Sequence, residues 1–222
     1  MKEKLSRFQI SISSVVRKFD HIEKRRESLI KDTRDVLSYC SKSIIAIHSG
    51  DQKSSENYLE TARAKLEGLK KLAENDLERY LIPAETELVE AYCFYALVRN
   101  SQLPSIDELN VSAASYILGL LDVIGEAKRR IYDLIRNGRQ KEAYMLFEKI
   151  EDIYSTLKPL AVYDNLAPGI RRKLDTDRIL LEDIRGLLTE EARREKLLDS
   201  LKSVQARLRR PEKNSGFKEE SG

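Results

Sequence analysis

The segment that most restricts the fold contains no residue that breaks a helix. Residues 4–48 include neither Gly nor Pro, and their apolar side chains recur at spacings of three, four and seven. This periodicity predicts one long amphipathic helix that ends at Gly50. Only nine Gly and five Pro occur among all 222 residues, so the whole chain is poor in the turns that a many-stranded sheet needs.

The remaining sequence also divides into helices, and no stretch of useful length alternates with the period of a strand. A capping box at Ser105 and Glu108 predicts a short helix, and Asn137-Gly138 predicts a helix end. The longer predicted helices cover 54–79, 83 to about 98, and 139–157, together with a long apolar helix that is capped by Ser112 and ends near Asn137-Gly138. A further helix is predicted over about 170–187 and, after a kink or restart near Gly186 and Thr189, a last one to about Arg209. We therefore predict an all-α fold, a single-domain bundle of about seven long helices over 1–208, with a disordered tail over 209–222.

Composition limits the classes of function. Hydrophobic residues make up 41% and charged residues 35% of the chain, which is enough for a core beneath a strongly solvated surface. The formal net charge of +3 excludes a bulk positive field, so a polyanion site requires local clusters of Lys and Arg. The two cysteines, Cys40 and Cys93, lie in apolar helical segments and are expected to be buried, reduced thiols. The longest apolar run is shorter than the roughly 20 residues of a membrane span, so we expect a soluble, cytoplasmic protein.

Four carboxylates lie in or beside the two most apolar runs. Glu90 is the one charged residue of 88–98 and Glu87 precedes it by one turn, while Asp122 and Glu126 are the two charges of 113–127. Neither run contains a Lys or Arg, and an ionised carboxylate in a core is costly unless it is paired, hydrogen-bonded or bound to a metal. Each pair has helical spacing and lies on one face, so packing of the two helices would bring all four together.

Such an acidic cluster is suited to a hard divalent cation. Oxygen ligands favour Mg²⁺ or Mn²⁺, and cations held there could orient a phosphodiester and activate a water. We predict Glu90 and Asp122 as the central ligands, with Glu87 and Glu126 completing the site, whereas Glu85 near the helix end is expected to be solvated. The alternative to a metal site is that these carboxylates lie on solvated helix faces. His21 and His48 are the two histidines, and no nucleophile or phosphate-loop motif accompanies them.

Basic clusters occur at 17–34, 128–130 and 171–173. Basic side chains near an acidic metal site are what a phosphodiester substrate requires along its backbone. The alternative for each cluster is a solvated helix face with internal ion pairs. The residues predicted to contact phosphates are Lys24, Arg25, Lys31, Arg34 and Arg129.

Several segments resemble one known family, the translin and translin-associated factor X family. E-L-V-E-A-Y-C-F at 87–94 resembles the acidic helix of the factor X branch, and L-P-S-I-D-E-L-N at 103–110 the short linker helix after it. S-Y-I-L-G-L-L-D-V-I-G-E at 115–126 is similar to the next helix, and K-R-R-E-S-L-I-K-D-T-R-D-V at 24–36 to the first basic helix. The similarity extends from about residue 19 to residue 187.

The resemblance implies an all-helical protomer that assembles, typically as an octamer, into a hollow barrel around nucleic acid. It further implies an Mg²⁺-dependent endoribonuclease whose catalytic carboxylates occupy the positions of Glu87, Glu90, Asp122 and Glu126, all four of which are present. The alternatives are a non-catalytic scaffold that binds RNA or single-stranded DNA, and a helical interaction module without nucleic acid.

Assembly is also predicted from the helices themselves. Amphipathic helices with apolar residues on more than one face leave a surface that a monomer cannot cover. The predicted contact stripe consists of Leu180, Leu181, Ile184, Leu187 and Leu188. We expect a closed homo-oligomer, an octamer by the resemblance, with acidic sites and basic helices facing an internal cavity.

Overall fold

The computed structural model describes residues 2–74 and 76–208, which form helices and turns without a strand. The α-helices of this part are α1 (Lys2–Ser49), α2 (Gln52–Ala73), α3 (Ile82–Val98), α4 (Ile106–Leu109), α5 (Ala113–Arg136), α6 (Gln140–Leu157) and α7 (Ile170–Leu208). Two 3₁₀ helices, Glu78–Tyr80 and Lys158–Tyr163, connect them. The all-α prediction is confirmed, and the predicted tail over 209–222 lies outside the described residues.

The described residues divide into two compact units, the first ending at Leu181 and the second beginning at Glu182. In the first unit α1 packs on α2 and α3, and α5 packs between α3 and α6. The core buries one face from each of α1, α2 and α3, including Leu29, Val36, Leu66, Leu88 and Phe94. Both cysteines are buried and free, as predicted. In the second unit the described residues continue α7 to Leu208.

Two predicted helix boundaries are wrong. The helix predicted over 54–79 is α2, which ends at Ala73 because Glu74 adopts a φ of 50°, outside the helical region. Gly186 and Thr189 do not interrupt α7, which is continuous through both. A Cβ at Gly186 would meet nothing within 4 Å, and the Thr189 hydroxyl donates to the Arg185 carbonyl 2.7 Å away, so both residues fit a regular helix.

Most of the apolar stripe that was predicted to contact another protomer is buried within the chain itself. Leu181, Ile184 and Leu188 are buried, with Ile184 completely inaccessible. These side chains therefore cannot supply the exposed apolar surface that the prediction required. A group of exposed apolar residues lies instead near the start of α1, where Phe8, Ile12, Val15 and Phe19 are 61%, 46%, 42% and 66% accessible.

None of the helices in the described part of the chain has the length and apolar character needed to cross a membrane.

Candidate functional site

The two acidic helices approach each other closely at one glycine. Gly119 of α5 lies against α3, where an added Cβ would fall 2.6 Å from the Thr86 carbonyl oxygen and 2.6 Å from the Val89 Cβ. Any larger residue would hold the helices apart. Glu87 follows Thr86 directly on α3, and Asp122 lies one turn after Gly119 on α5. The predicted convergence of α3 and α5 thus has a local cause in the sequence.

Glu90 is the most buried of the four predicted ligands. It is 9% accessible, and its pKa is raised to about 8 by burial first and then by the charges of Glu87, Asp122 and Glu126. Burial and the neighbouring charge of Asp122 also raise the pKa of Glu87. Asp122, the other predicted central ligand, is less buried than Glu90, with a side chain that is 28% accessible. The four carboxylates nevertheless act on one another electrostatically.

Glu126 has a histidine partner that the sequence did not indicate. Nε2 of His48, in the last turn of α1, lies 2.6 Å from Glu126 Oε2. This hydrogen bond is the largest influence on the pKa of Glu126 and lowers it against the effect of burial. The imidazole is 6% accessible and lies against Phe94, with ring centroids 5.0 Å apart. His48 therefore holds Glu126 in a fixed orientation at the edge of the cluster.

A third helix contributes two further charged residues, Lys173 and Asp177 of α7. The Lys173 ammonium donates to Asp122 Oδ1 in a short ion pair, and its charge lowers the pKa values of Glu87 and Glu90 against the effects that raise them. Asp177 is 4% accessible, and burial and then Asp122 raise its pKa to about 7. The basic cluster at 171–173 was recognised in the sequence, but nothing there paired Lys173 with Asp122.

The donor chemistry of the cluster fits a hard cation, although its present arrangement does not enclose one. Carboxylate oxygens are the ligands that Mg²⁺ and Mn²⁺ prefer. Among residues 2–74 and 76–208, no three His, Cys, Asp or Glu side chains converge on a point that could hold a metal. Lys173 is bonded to Asp122 and His48 to Glu126, so these carboxylates point to partners within the protein. Lys173 occupies Oδ1 of Asp122, so a cation would have to bind the other oxygen of that carboxylate or displace the ammonium.

Glu85, expected to be solvated, is buried and serves another purpose. Its carboxylate accepts hydrogen bonds from the Ser112 amide at 3.1 Å and the Ser115 hydroxyl at 2.8 Å. These donors lie at the N-terminus of α5, where unpaired amide groups and the helix dipole favour a negative charge. Glu85 therefore fixes the start of α5 against α3 and is not available as a ligand. Cys40 is buried near Glu87 and Glu90, and its pKa is raised mainly by burial, so it remains a thiol.

The predicted phosphate-binding residues differ in exposure. Lys24, Lys31 and Arg34 are exposed on α1, and Arg129 is exposed on α5 one turn after Glu126. Arg25 is only 7% accessible, and its guanidinium is paired with Glu74 at 2.8 Å and Asp76 at 2.5 Å. The structure therefore corrects the prediction that Arg25 binds phosphate, because its guanidinium joins α1 to the residues that follow α2.

Known proteins of similar sequence and structure indicate the family of this chain. A sequence model of the Translin family matches residues 24–184. An uncharacterized protein of Methanocaldococcus jannaschii is 32% identical over 186 residues, covering 82% of this chain and 83% of that protein. The chain is similar to the solved structure of AfC3PO, with a TM-score of 0.76 and 27% identity over 81% of this chain and 96% of that chain.

Two further structures share the architecture. AfC3PO in complex with duplex RNA gives a TM-score of 0.75 and 26% identity, covering 81% of this chain and 95% of that chain. The structure of apo-NeC3PO, at 19% identity and a TM-score of 0.71, covers 80% of this chain and 95% of that chain and supports the fold alone. Since the family match extends over most of its length, this chain belongs to the Translin family.

Proposed function

We propose that this chain is an Mg²⁺- or Mn²⁺-dependent endoribonuclease that uses Glu87, Glu90, Asp122 and Glu126. The observation that carries the proposal is the environment of Glu90. A carboxylate is buried on an apolar helix and surrounded by three others, which raise its pKa to about 8 together with burial. Such an arrangement destabilises the fold without a cation, and strongly shifted carboxylates concentrate at functional sites.

Each acidic residue has a separate part in the proposed reaction. Glu90 and Asp122 would hold the cation from opposite helices, and Glu87 would complete the coordination or orient the attacking water. Glu126, fixed by His48, would accept a hydrogen bond from that water. When bound, the divalent cation supplies the Lewis acid that stabilises charge on the phosphodiester and lowers the pKa of a water. The ammonium of Lys173, released from Asp122, could then contact the substrate phosphate.

Cleavage of a labelled RNA in Mg²⁺ and in EDTA tests this proposal. Glu90→Gln and Asp122→Asn remove one charge each with little change in shape, and each should abolish cleavage while leaving helicity intact. Glu56→Gln changes an exposed acid on α2 and should cleave at the wild-type rate. Full activity in EDTA, or in either site variant, would show that the chemistry lies elsewhere.

We further propose that RNA binds along the exposed basic residues Lys24, Lys31, Arg34 and Arg129. AfC3PO, which is similar to this chain, has been solved with duplex RNA. Lys24 and Lys31 are two turns apart on one face of α1, and the charge of Arg129 reaches Glu126 in the acidic cluster. Phosphate contacts of this kind carry little sequence information. Lys24→Glu with Lys31→Glu should weaken RNA binding for all sequences and reduce its salt dependence, as measured by fluorescence anisotropy.

We propose that the chain forms a homo-oligomer, an octamer in the closed form that we favour, through the start of α1. Phe8 and Val15 lie in the same seven-residue register as Leu29 and Val36, which are buried in the core. The apolar face of α1 therefore continues beyond the part that the chain itself covers. Light scattering should give a mass near eight times the 25.6 kDa chain, and Phe8→Asp with Phe19→Asp should lower it, unlike Ser14→Asp. A wild-type mass of one chain would overturn the proposal.

A second candidate function is a non-catalytic scaffold that binds RNA or single-stranded DNA. The ion pair between Lys173 and Asp122 favours it, because a cluster neutralised from within could serve stability rather than catalysis. Nucleic-acid binding without cleavage in Mg²⁺ or Mn²⁺ would select this alternative over the endoribonuclease.

A further inference from the structure

We propose that Asp177 is a fifth acidic residue of the cation site, contributed by α7, and that its carboxylate binds the divalent cation together with Asp122. This inference rests on the proposed function and extends the site from two helices to three. No sequence pattern indicates this role, because Asp177 lies in a segment rich in both charges rather than in an apolar run.

The first observation is an unsatisfied oxygen. Asp177 is 4% accessible, and within the described part of the chain its Oδ2 is buried and has no hydrogen-bond partner. Buried carboxylate oxygens in folded proteins are almost always hydrogen-bonded, paired with a cation or bound to a metal. An aspartate at this position therefore has an acceptor that the rest of the protein does not use.

The second observation is where the side chain lies. Asp177 follows Lys173 by one helical turn, so both project from the same face of α7. The ammonium of Lys173 is bonded to Asp122. The charge of Asp122 raises the pKa of Asp177 and that of Lys173 lowers it, so both groups lie near Asp177. Asp177 therefore lies on the face of α7 from which Lys173 reaches Asp122 of α5.

The third observation is an imbalance of charge. Lys173 interacts with Glu87, Glu90, Asp122 and Asp177, so one ammonium is shared by four carboxylates. A divalent cation among these groups would add two positive charges to that of Lys173 and give the unpartnered oxygen of Asp177 a cation to bind. A purely structural role would predict a neighbouring donor for this oxygen, as Glu85 has in Ser112 and Ser115.

Direct measurement of Mn²⁺ binding to the full chain, without RNA, tests the proposal. Asp177→Asn should weaken the Mn²⁺ affinity measured by electron paramagnetic resonance by about tenfold or more, as loss of a ligand or its support does. Asp175→Asn, an exposed position on the same helix, should leave the affinity unchanged. Circular dichroism establishes that each variant is folded. Equal affinity in Asp177→Asn and the wild type overturns the role of Asp177 alone, whereas no Mn²⁺ binding by the wild type overturns the proposed function as well.

A second measurement does not depend on the variant folding. Wild-type protein labelled with ¹³C at the aspartate carboxyl carbons should show two carbons coupled to bound Mn²⁺ by electron-nuclear double resonance, from Asp122 and Asp177. A single coupled carbon would contradict the proposal.

Discussion

Replacing Gly119 with Ala tests whether the close contact between α3 and α5 creates the acidic site. The new methyl group would lie 2.6 Å from the Thr86 carbonyl oxygen and 2.6 and 2.8 Å from the Val89 Cβ and Cγ1. Favourable contacts lie near 3.5–4.0 Å, so the helices would have to separate locally by about 1 Å. Thr86 contributes a backbone atom, which cannot move without its helix.

The size of the effect follows from two opposing contributions. Overpacking a closely packed interface costs about 1–3 kcal/mol. Ala is preferred to Gly inside a helix by about 1 kcal/mol, and this gain partly offsets the cost. Gly125 lies on the same helix, and a Cβ there meets nothing within 4 Å. Because the helical preference is common to both sites, Gly119→Ala should be less stable than Gly125→Ala by the overpacking cost alone, about 1–3 kcal/mol.

Urea unfolding of both variants in EDTA measures this difference. RNA cleavage gives a second measurement, because separation of the helices moves Glu87 and Glu90 away from Asp122. We expect Gly119→Ala to cleave more slowly than the wild type, and Gly68→Ala, an open position on α2, to cleave normally. If Gly119→Ala matched Gly125→Ala in stability, the close contact would not control the packing of these helices.

Three further predictions concern individual side chains. In EDTA, the free energy of unfolding should fall as pH rises from about 4.5 to 8, because folded Glu90 keeps a proton that the unfolded chain releases. Glu90 contributes at most about 1.4 kcal/mol per pH unit to this slope, and Glu90→Gln should reduce the slope in urea titrations. Arg25→Gln should destabilise the chain by about 1–3 kcal/mol in urea unfolding without changing the salt dependence of RNA binding. Lys24→Gln should leave stability unchanged and reduce the salt dependence of RNA binding measured by anisotropy. Glu85→Ala should lower stability by about 1–2 kcal/mol in urea unfolding, because the start of α5 loses its acceptor.

The helices and the acidic pairs could be predicted because they depend on short-range patterns. Apolar periodicity and capping residues located α3, α5 and α6 closely, and the helical spacing of Glu87 and Glu90 placed them on one face. The end of α2 was missed because Leu77 continues the apolar spacing, although the chain leaves the helix at Glu74. Periodicity identifies residues that will be buried, but a buried residue beyond a turn fits the same pattern.

The remaining site residues depend on contacts that no local pattern contains. His48 is 78 residues from Glu126, and Lys173 is 51 residues from Asp122. Arg25 illustrates the same limit, since its basic neighbours on α1 are exposed while it turns inward to a carboxylate 51 residues away. Which member of a charged segment pairs with the core is decided by the packing of other helices against it.

The division of charge among three helices also explains how this acidic cluster is tolerated in the fold. Repulsion is relieved by a proton on Glu90, by the ammonium of Lys173 on Asp122 and by the hydrogen bond of His48 to Glu126. The first two of these are reversible and occupy the oxygens proposed as central ligands. A cation at the proposed site would compete with the proton of Glu90 and with the ammonium at Asp122, so we expect a lower affinity than the number of carboxylates would suggest. The same groups that reduce repulsion in the cluster would thus compete directly with the proposed cation for Glu90 and Asp122.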